Sequence, residues 1–292
     1  MKEHRRAGDF SSRSPAFMVF LLIGLISETD GTGGMRIMRI AIVTGASSGL
    51  GREYVRQLGD KEKLDEIWAI ARRKDRLDEL LQLTSCPVRP FPMDLTDKAK
   101  LHEFSAVLEK EQPDAAVLVN AAGFGRIGMS DKISEKDNDD MIDLNCRAAV
   151  DMTSMVIPYM HKGGRILEIC STAAFQPIAA LNVYAASKAF LQSYTKALHY
   201  EMLLTGIHVT AVCPYWIKDT EFIPQAKKID NTGFRHFPFA SRARTVVSWS
   251  LTDSSLNLWV STPGPVCIAH RISAKFIPHF LMVPLLDLLR RI

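Results

Sequence analysis

A tyrosine and a lysine four residues apart carry the chemistry that this sequence indicates most directly. Tyr184 and Lys188 stand in the run Tyr-Ala-Ala-Ser-Lys, and this spacing puts both side chains on one face of a helix. A phenol ionises at about pH 10 and is a poor acid at neutrality. Because a nearby ammonium favours the phenolate, we expect Lys188 to lower the pKa of Tyr184 toward neutrality. Tyr184 would then give a proton to a carbonyl oxygen or accept one from an alcohol.

A serine hydroxyl precedes this pair and follows an apolar segment. Ser171 lies 13 residues before Tyr184. It would hold the substrate oxygen beside the phenol if the fold brings the two together. The alternative is that Ser171 and Thr172 cap the segment that follows, which is a common use of such residues. Both interpretations stay open at this point.

A glycine-rich turn lies farther upstream, between an apolar run and a helical segment. Residues 44–51 read Thr-Gly-Ala-Ser-Ser-Gly-Leu-Gly. Glycines let a backbone approach a ligand closely, and the start of a helix offers free N–H groups to a pyrophosphate. The alternative is an ordinary turn between a strand and a helix. The candidate pyrophosphate-binding residues are Gly45, Ser47, Ser48, Gly49, Leu50 and Gly51.

Two arginines stand where a carboxylate is expected to hold the ribose of NAD. About 20 residues beyond such a turn, an acidic residue commonly binds the ribose 2′-hydroxyl. Here Arg72 and Arg73 occupy that place, and a guanidinium suits a 2′-phosphate. The sequence therefore favours NADP over NAD, although NAD stays possible. The alternative is that one or both arginines are merely solvated at a helix start.

The elements that must position these residues alternate along the chain. Apolar runs at 39–44, 66–71, 88–93, 115–120, 165–170 and 207–213 predict buried strands. Amphipathic segments at 50–60, 74–83, 98–111, 135–160 and 183–204 predict helices between them. This alternation is typical of an α/β fold of the Rossmann type, a doubly wound parallel sheet in three layers and a single domain. Residues 256–260 could add a final strand.

The chain divides into a central domain and two apolar ends. We expect a catalytic domain over 38–265, with a substrate lid at 215–256, and an apolar helical tail over 266–292. The tail is interpreted as a packing helix, with a membrane-surface helix as the alternative. Residues 1–37 are an extension whose apolar run, 16–26, is too short to cross a bilayer as a helix. The alternatives there are a native start at Met35 or Met38, a weak membrane anchor, and a cleaved signal.

Composition restricts the partners and the compartment. The net charge of +4 over 292 residues is too weak and too dispersed to predict a nucleic-acid binder. Five scattered cysteines predict reduced thiols and a cytoplasmic protein. No histidine or cysteine spacing indicates a metal site.

Taken together and in order, these motifs resemble the short-chain dehydrogenase/reductase family over about residues 38–220. The matching positions are residues 44–51, Asp94, Leu95, Asn120, Ala121, Ala122, Gly123, Asn145, Ser171, Tyr184 and Lys188. The resemblance implies that Asn145, Ser171, Tyr184 and Lys188 form the catalytic group, with Asn145 in a water-linked proton relay to Lys188. It implies that Asp94 and Leu95 contact the adenine, and that residues 120–123 line the adenosine side and steady the sheet. It also implies a homodimer or homotetramer formed through the helices at 135–160 and 183–204.

The chain departs from the family pattern after the sixth strand. The family usually has Pro-Gly there and then a threonine that contacts the nicotinamide amide. In this chain Tyr215 follows Pro214, and Thr220 comes about one residue late. We expect Pro214 and Ile217 near the nicotinamide, while the place of Thr220 stays open. Tyr215 and Trp216 would form an aromatic wall for the substrate.

The function expected from these observations is hydride transfer between NADP(H) and a carbonyl or alcohol. Phe222, Ile223, Phe234, Phe237 and Phe239 favour a lipophilic substrate, steroid-like or fatty-acyl, although they could equally belong to a core or a subunit interface. The alternatives are a dinucleotide-binding sensor or structural protein without turnover, and a membrane-surface protein that uses both apolar ends.

Overall fold

Short β-branched segments form a parallel sheet whose central strands are buried on both faces. The computed structural model describes residues 37–229 and 239–291, and these form one sheet in the order β3-β2-β1-β4-β5-β6-β7. The direction of winding reverses between β1 and β4. The strands are β1 (Arg39–Thr44), β2 (Glu66–Ala71), β3 (Val88–Pro92), β4 (Asp114–Asn120), β5 (Arg165–Ile169), β6 (His208–Val212) and β7 (Val260–Ser261).

Helices cover both faces of this sheet. The main ones are α1 (Gly49–Lys61), α2 (Lys74–Asp78), α3 (Lys98–Glu111), α4 (Glu135–Ile142), α5 (Ala148–Val156), α6 (Asn182–Met202), α7 (Phe222–Ala226), α8 (Ala243–Ser255), α9 (Pro265–Phe276) and α10 (His279–Arg291). Side chains of β1 alternate between the two resulting cores. Ala41 and Val43 belong to the core beneath α1 and α8, and Ile40 and Ile42 to the core beneath α3 and α5. The predicted Rossmann-type fold in three layers is confirmed.

The predicted helical segment at 135–160 is confirmed to within a residue, but it is not α-helical throughout. Between α4 and α5 the chain forms a wide π-helical turn, Asp143–Arg147, and after α5 it tightens into a 3₁₀ turn, Ile157–Tyr159. Pro158 has no backbone N–H to continue an α-helix, which explains the change at the end. The π-turn inserts one residue into the helical repeat, a feature often found at functional sites. It contains Asn145.

The lid region is narrower than the sequence suggests. Helix α8 packs against α1, and its Val246, Val247 and Leu251 are buried in the core. This part of the range 215–256 therefore belongs to the helical layer, and none of its residues lines the large cavity at the ends of the strands. Phe234 and Phe237 lie outside the described residues. For the other residues of 215–256 the lid stays a prediction.

The C-terminal tail departs from the expected packing helix. Helices α9 and α10 bury Cys267 and Met282, but most of their described apolar side chains are exposed. The two most exposed, Phe276 and Phe280, each keep 75% of their surface in solvent. Of the N-terminal extension, residues 1–36 lie outside the described residues. Within 37–229 and 239–291, the structure contains no helix with the length and apolar character needed to cross a membrane.

Candidate active site

A cavity of 1080 Å³ opens beyond the carboxyl ends of β1, β4, β5 and β6. Pockets for small ligands run to about 300–1,000 Å³, so this one has room for a dinucleotide and a substrate. It lies where the winding of the sheet reverses, which is where such folds bind ligands. The predicted site residues that line it are Gly45, Ser47, Ser48, Gly49, Leu50, Gly51, Arg72, Arg73, Asp94, Leu95, Ala121, Ala122, Gly123, Ser171, Tyr184, Lys188, Pro214, Ile217 and Thr220.

The turn after β1 requires its glycines for steric reasons. Gly45 has φ +65°, and a Cβ there would lie 2.8 Å from the backbone nitrogen of Ala122. A Cβ on Gly51 would collide with the backbone of Gly45. The start of α1 is therefore held tightly against the end of β1, its first residues line the cavity, and no side chain caps it. This cradle fits a pyrophosphate.

Both predicted arginines border the far end of the cavity. Arg73 Nη2 lies 3.0 Å from Glu221 Oε2 and 3.3 Å from Ser47 Oγ. Arg72 is more exposed, and its Nη1 lies 3.8 Å from Asp94 Oδ2. The Asp94 carboxylate also accepts hydrogen bonds from the backbone N–H and the hydroxyl of Thr96. Two cations thus stand at this end, which suits a 2′-phosphate.

Thr220 lies opposite the glycine-rich turn. A Cβ built on Gly49 would come within 3.4 Å of Thr220 Cβ, and the Thr220 hydroxyl donates to the backbone oxygen of Ile217 at 3.2 Å. The side chain therefore faces the pyrophosphate cradle. The segment from Pro214 to Thr220 forms the wall of the cavity that faces α1.

Tyr184 is held as a neutral phenol. Only 7% of the residue is exposed, and this burial raises its pKa above the ordinary value, while a hydrogen bond with Ser171 works in the opposite direction. Ser171 Oγ also accepts from the backbone N–H of Ala173 at 3.1 Å, so this serine caps the 3₁₀ turn Thr172–Phe175 as well. The capping role considered for Ser171 is therefore confirmed, and its place beside Tyr184 leaves the substrate-binding role as a prediction.

The expectation that Lys188 lowers the pKa of Tyr184 is wrong for this structure. Lys188 Nζ lies 5.9 Å from the centre of the Tyr184 ring and donates to the backbone oxygen of Ile169 at 2.7 Å. Burial lowers the pKa of Lys188 itself, so its charge is disfavoured there. Sequence spacing places the two groups on one helix face but says nothing about the cost of burying both. Here that cost dominates.

Asn145 does not line the cavity, although it lies directly behind it. Its Oδ1 accepts from the backbone N–H of Phe124 at 3.0 Å, and its Nδ2 donates to Phe124 O at 2.9 Å and to Ser187 Oγ at 3.0 Å. A Cβ on Gly123 would come within 2.8 Å of Asn145 Oδ1 and 3.3 Å of Lys188 Nζ. The absence of a side chain at Gly123 therefore leaves a small space bounded by both polar groups.

Asn120 does not border the cavity, unlike the other residues of the predicted cofactor-binding segment 120–123. Its side chain turns into the protein and donates from Nδ2 to Glu168 Oε1 and to Thr153 Oγ1, each at 2.8 Å. Thr153 donates to the same carboxylate oxygen at 2.7 Å. Asn120 therefore links β4, β5 and α5, and it steadies the sheet without bordering the cavity. Ala121, Ala122 and Gly123 do border it.

Sequence reasoning missed Gly125 beside the phenol, and it named Trp216 and Phe222 only as parts of an aromatic wall and an apolar pocket. A Cβ on Gly125 would lie 2.8 Å from Tyr184 Cδ2, so only a glycine leaves room for the ring. Phe222 packs on Tyr184 with ring centres 5.3 Å apart, and Trp216 lies 6.3 Å from Phe222. Phe222 was predicted as part of an apolar pocket but not as a contact of Tyr184. Glu168 gave no signal because a single glutamate in an apolar run fits no motif.

Comparison with known proteins agrees with this geometry. The sequence profile described as short chain dehydrogenase matches residues 39–230. The NADP-dependent 3-hydroxy acid dehydrogenase YdfG of Escherichia coli is 35% identical over 191 residues, which is 63% of this chain and 74% of that protein.

Solved structures of two dehydrogenases have a fold similar to that of this chain. A short-chain dehydrogenase from Sphingobium yanoikuyae in complex with NADPH superposes with a TM-score of 0.70 at 27% identity, over 82% of this chain and 92% of that chain. A serine dehydrogenase complexed with NADP⁺ superposes with a TM-score of 0.62 at 31% identity, over 74% of this chain and 88% of that chain.

The buried Glu168 carboxyl gives a pH dependence of stability. Burial raises its pKa from 4.5 to about 7, against the hydrogen bonds from Thr153 and Asn120. The folded protein thus holds a proton that the unfolded chain has lost, so its contribution is fully present below pH 4.5 and disappears as the pH rises through 7.

We expect wild-type stability to fall with pH in this window relative to Glu168→Gln, by up to about 1.4 kcal/mol per pH unit. Urea unfolding of both proteins at several pH values measures the difference. Parallel curves for the two proteins would show that Glu168 does not titrate there.

Proposed function

Because this chain belongs to the short-chain dehydrogenase family, we propose that it is an oxidoreductase that moves a hydride between NADP(H) and a carbonyl or alcohol. One observation carries the proposal: a buried tyrosine, hydrogen-bonded to Ser171, faces a cavity that a glycine-rich helix start and two arginines border at its other end. Relatives named for NADPH or NADP⁺ support the choice of cofactor. The bound dinucleotide would supply the hydride, and the protein the orientation and the proton.

The proposed proton donor to the substrate oxygen is Tyr184. A donor must be protonated before the reaction, and burial keeps this phenol neutral. Ser171 would bind the same oxygen and fix its distance from Tyr184 Oη. Lys188 would hold the ribose next to the nicotinamide. Asn145 would border the small space beside Lys188, and water in that space would return a proton to the site after each reaction. A sensor without turnover needs none of these groups.

Removing the hydroxyl of Tyr184 tests its role as proton donor. Tyr184→Phe removes the proton donor but keeps the ring against Phe222, so we expect kcat to fall by at least about 100-fold, a usual contribution of acid catalysis. NADPH binding, followed by fluorescence titration, should survive. Tyr200→Phe is the matched control, since Tyr200 is an exposed phenol on the same helix. Near-normal turnover in the Tyr184→Phe variant would contradict the assignment.

The Arg73 guanidinium is expected to determine the preference for NADP over NAD. Arg73→Ser removes a guanidinium that would pair with the 2′-phosphate, so the preference for NADPH over NADH, measured as a ratio of kcat/KM, should fall roughly tenfold or more. Arg76→Ser, a change of an exposed arginine paired with Glu79, serves as the control. An unchanged ratio for Arg73→Ser would mean that this end of the cavity does not hold a phosphate.

The substrate half of the cavity supports a largely lipophilic substrate. Trp216, Phe222, Ile178 and Leu181 line it. We keep the steroid-like or fatty-acyl ketone or alcohol as the proposed class. The relative from Escherichia coli is named for 3-hydroxy acids, which makes a carboxylated substrate the competing class.

The exposed C-terminal face suits a weak contact with an anionic membrane surface. Ile272, Phe276 and Phe280 are exposed apolar residues, and Arg271 and Lys275 lie among them with no acidic residue in α9. Apolar side chains interleaved with cations are typical of helices that rest in the headgroup region.

The five cysteines are buried and unpaired, and the cytoplasm is the compartment we propose for such a protein.

Vesicle binding tests the contact of the C-terminal helices with a membrane surface. Wild-type protein should sediment with phosphatidylcholine vesicles that contain phosphatidylglycerol, and less with phosphatidylcholine alone. The double change Phe276→Ser and Phe280→Ser should abolish sedimentation. If vesicles are not bound and the double variant instead loses a dimer seen by light scattering, a second copy covers this face. The resemblance to the family also predicts a homodimer or homotetramer through the helices at 135–160 and 183–204. The same light-scattering measurement gives the molar mass that tests this prediction.

A further inference from the structure

Two polar side chains on the wall of the cavity have atoms without a hydrogen-bond partner. Gln176 is only 4% exposed, and neither its Nε2 nor its Oε1 meets a partner among the described residues. His270 Nε2 is buried and without a partner in the same way. Both residues line the cavity that contains Tyr184.

The two residues belong to one wall, which begins at Ser171. Ser171 starts the 3₁₀ turn Thr172–Phe175, and Gln176 ends it. His270 reaches this turn from α9, with its ring edge-on to Phe175 and ring centres 6.0 Å apart. The wall is therefore tied to the serine that would bind the reacting oxygen, and its position relative to that oxygen is fixed.

Leaving such groups unpaired is costly. A buried donor or acceptor without a partner destabilises a protein by about 1–3 kcal/mol, and native interiors hold few of them. Gln57 shows the ordinary case in this chain. It is 2% exposed, and its amide donates to Glu53 and to the backbone of Arg244 and accepts from Lys61. The missing partner of Gln176 is thus expected from the cavity side.

The charge of this wall limits what the partner can be. Burial lowers the pKa of His270, so its imidazole is neutral at physiological pH. Arg126 and Lys136 line the cavity and are paired with acidic residues, Arg126 with Asp137 at 2.8 Å and Lys136 with Asp140 at 2.7 Å. Lys228 also lines the cavity and has no ion pair among the described residues. Gln176 and the neutral His270 carry no positive charge, so a carboxylate bound to them would lose hydration without a counter-ion from either group, which is unfavourable. A hydroxyl or carbonyl oxygen carries no such penalty.

We propose that Gln176 and His270 form a second polar subsite, which binds a neutral oxygen of the substrate remote from the reacting carbon. This inference rests on the proposed oxidoreductase function and deepens it. The substrate is then an apolar ketone or alcohol with a further hydroxyl or carbonyl group. The apolar side chains of Ile178 and Leu181 would contact the body between the two oxygens.

A stability measurement tests the subsite without any substrate. Gln176→Leu replaces an unpaired amide by an apolar group of similar shape, so the free protein should melt at the same temperature or higher. Gln57→Leu is the matched control and should melt lower, because it breaks three hydrogen bonds. A clear drop for Gln176→Leu would show that its amide has a structural partner and would overturn the proposal.

A kinetic measurement tests recognition. Ketone pairs that differ by one neutral oxygen are compared with NADPH: acetophenone with 3- and 4-hydroxyacetophenone, and 4-phenyl-2-butanone with its 4-hydroxyphenyl analogue. The carboxylated probe is 4-acetylbenzoate. The ratio of kcat/KM for the hydroxylated over the parent ketone should exceed one in wild type. It should fall roughly tenfold in Gln176→Leu and in His270→Phe, and stay unchanged in Gln57→Leu.

The results of these measurements distinguish a failure of the polar subsite from a failure of the proposed oxidoreductase function. A wild type that prefers the parent ketones or 4-acetylbenzoate overturns the subsite and leaves the oxidoreductase proposal standing. A wild type that binds NADPH but reduces no carbonyl compound overturns the oxidoreductase proposal, and with it the subsite. A hydroxyl preference that both variants retain assigns recognition to other residues and also overturns the subsite.

Discussion

The site depends on a buried polar cluster that joins the strand ends beneath it. Asn120 at the end of β4 and Thr153 on α5 both donate to the carboxyl of Glu168 on β5, at 2.8 and 2.7 Å. One residue beyond Asn120 the backbone enters the cavity as residues 121–123, and three residues beyond Glu168 it reaches Ser171. The cluster therefore sets the separation between the segment that would border the dinucleotide and the segment that would bind the substrate oxygen. In a low-dielectric interior these hydrogen bonds are strong and directional.

Burial, more than pairwise charge, determines the protonation of this region. It raises the pKa values of Tyr184 and Glu168 and lowers those of Lys188 and His270. All four shifts favour the neutral form. A neutral site has a simple chemical use, because a phenol that remains protonated is ready to donate, and an uncharged wall accepts an uncharged substrate. Charged side chains border other parts of the cavity, among them Arg72 and Arg73, which lie close to solvent, and Arg126, which is paired with Asp137.

The sequence alone allowed prediction of what depends on local pattern. Apolar runs located six strands within a residue or two, because a strand buried on both faces must be apolar throughout. The glycine-rich turn and the Tyr184–Lys188 spacing were found because each function needs fixed residue types at fixed intervals. Tertiary effects could not be predicted in this way. The turn of Asn120 into the core depends on Glu168, 48 residues away. The polar contacts of Asn145 depend on Phe124 and Ser187, 21 and 42 residues away. The raised pKa of Tyr184 depends mainly on its burial by the rest of the fold.

The same reasoning explains why Gln176 is informative and Gln57 is not. Both glutamines are buried, and nothing in their sequence context distinguishes them. Gln57 has its partners within one turn of its own helix and on α8, so folding itself satisfies the amide. Gln176 has none among the described residues and borders a cavity, so folding leaves the amide unsatisfied. Asn138 and Asn257 also keep a buried oxygen without a partner, but they lie away from the cavity. Gln176 differs from them because it borders the cavity on the wall that adjoins Ser171, where a second substrate oxygen would supply the missing partner.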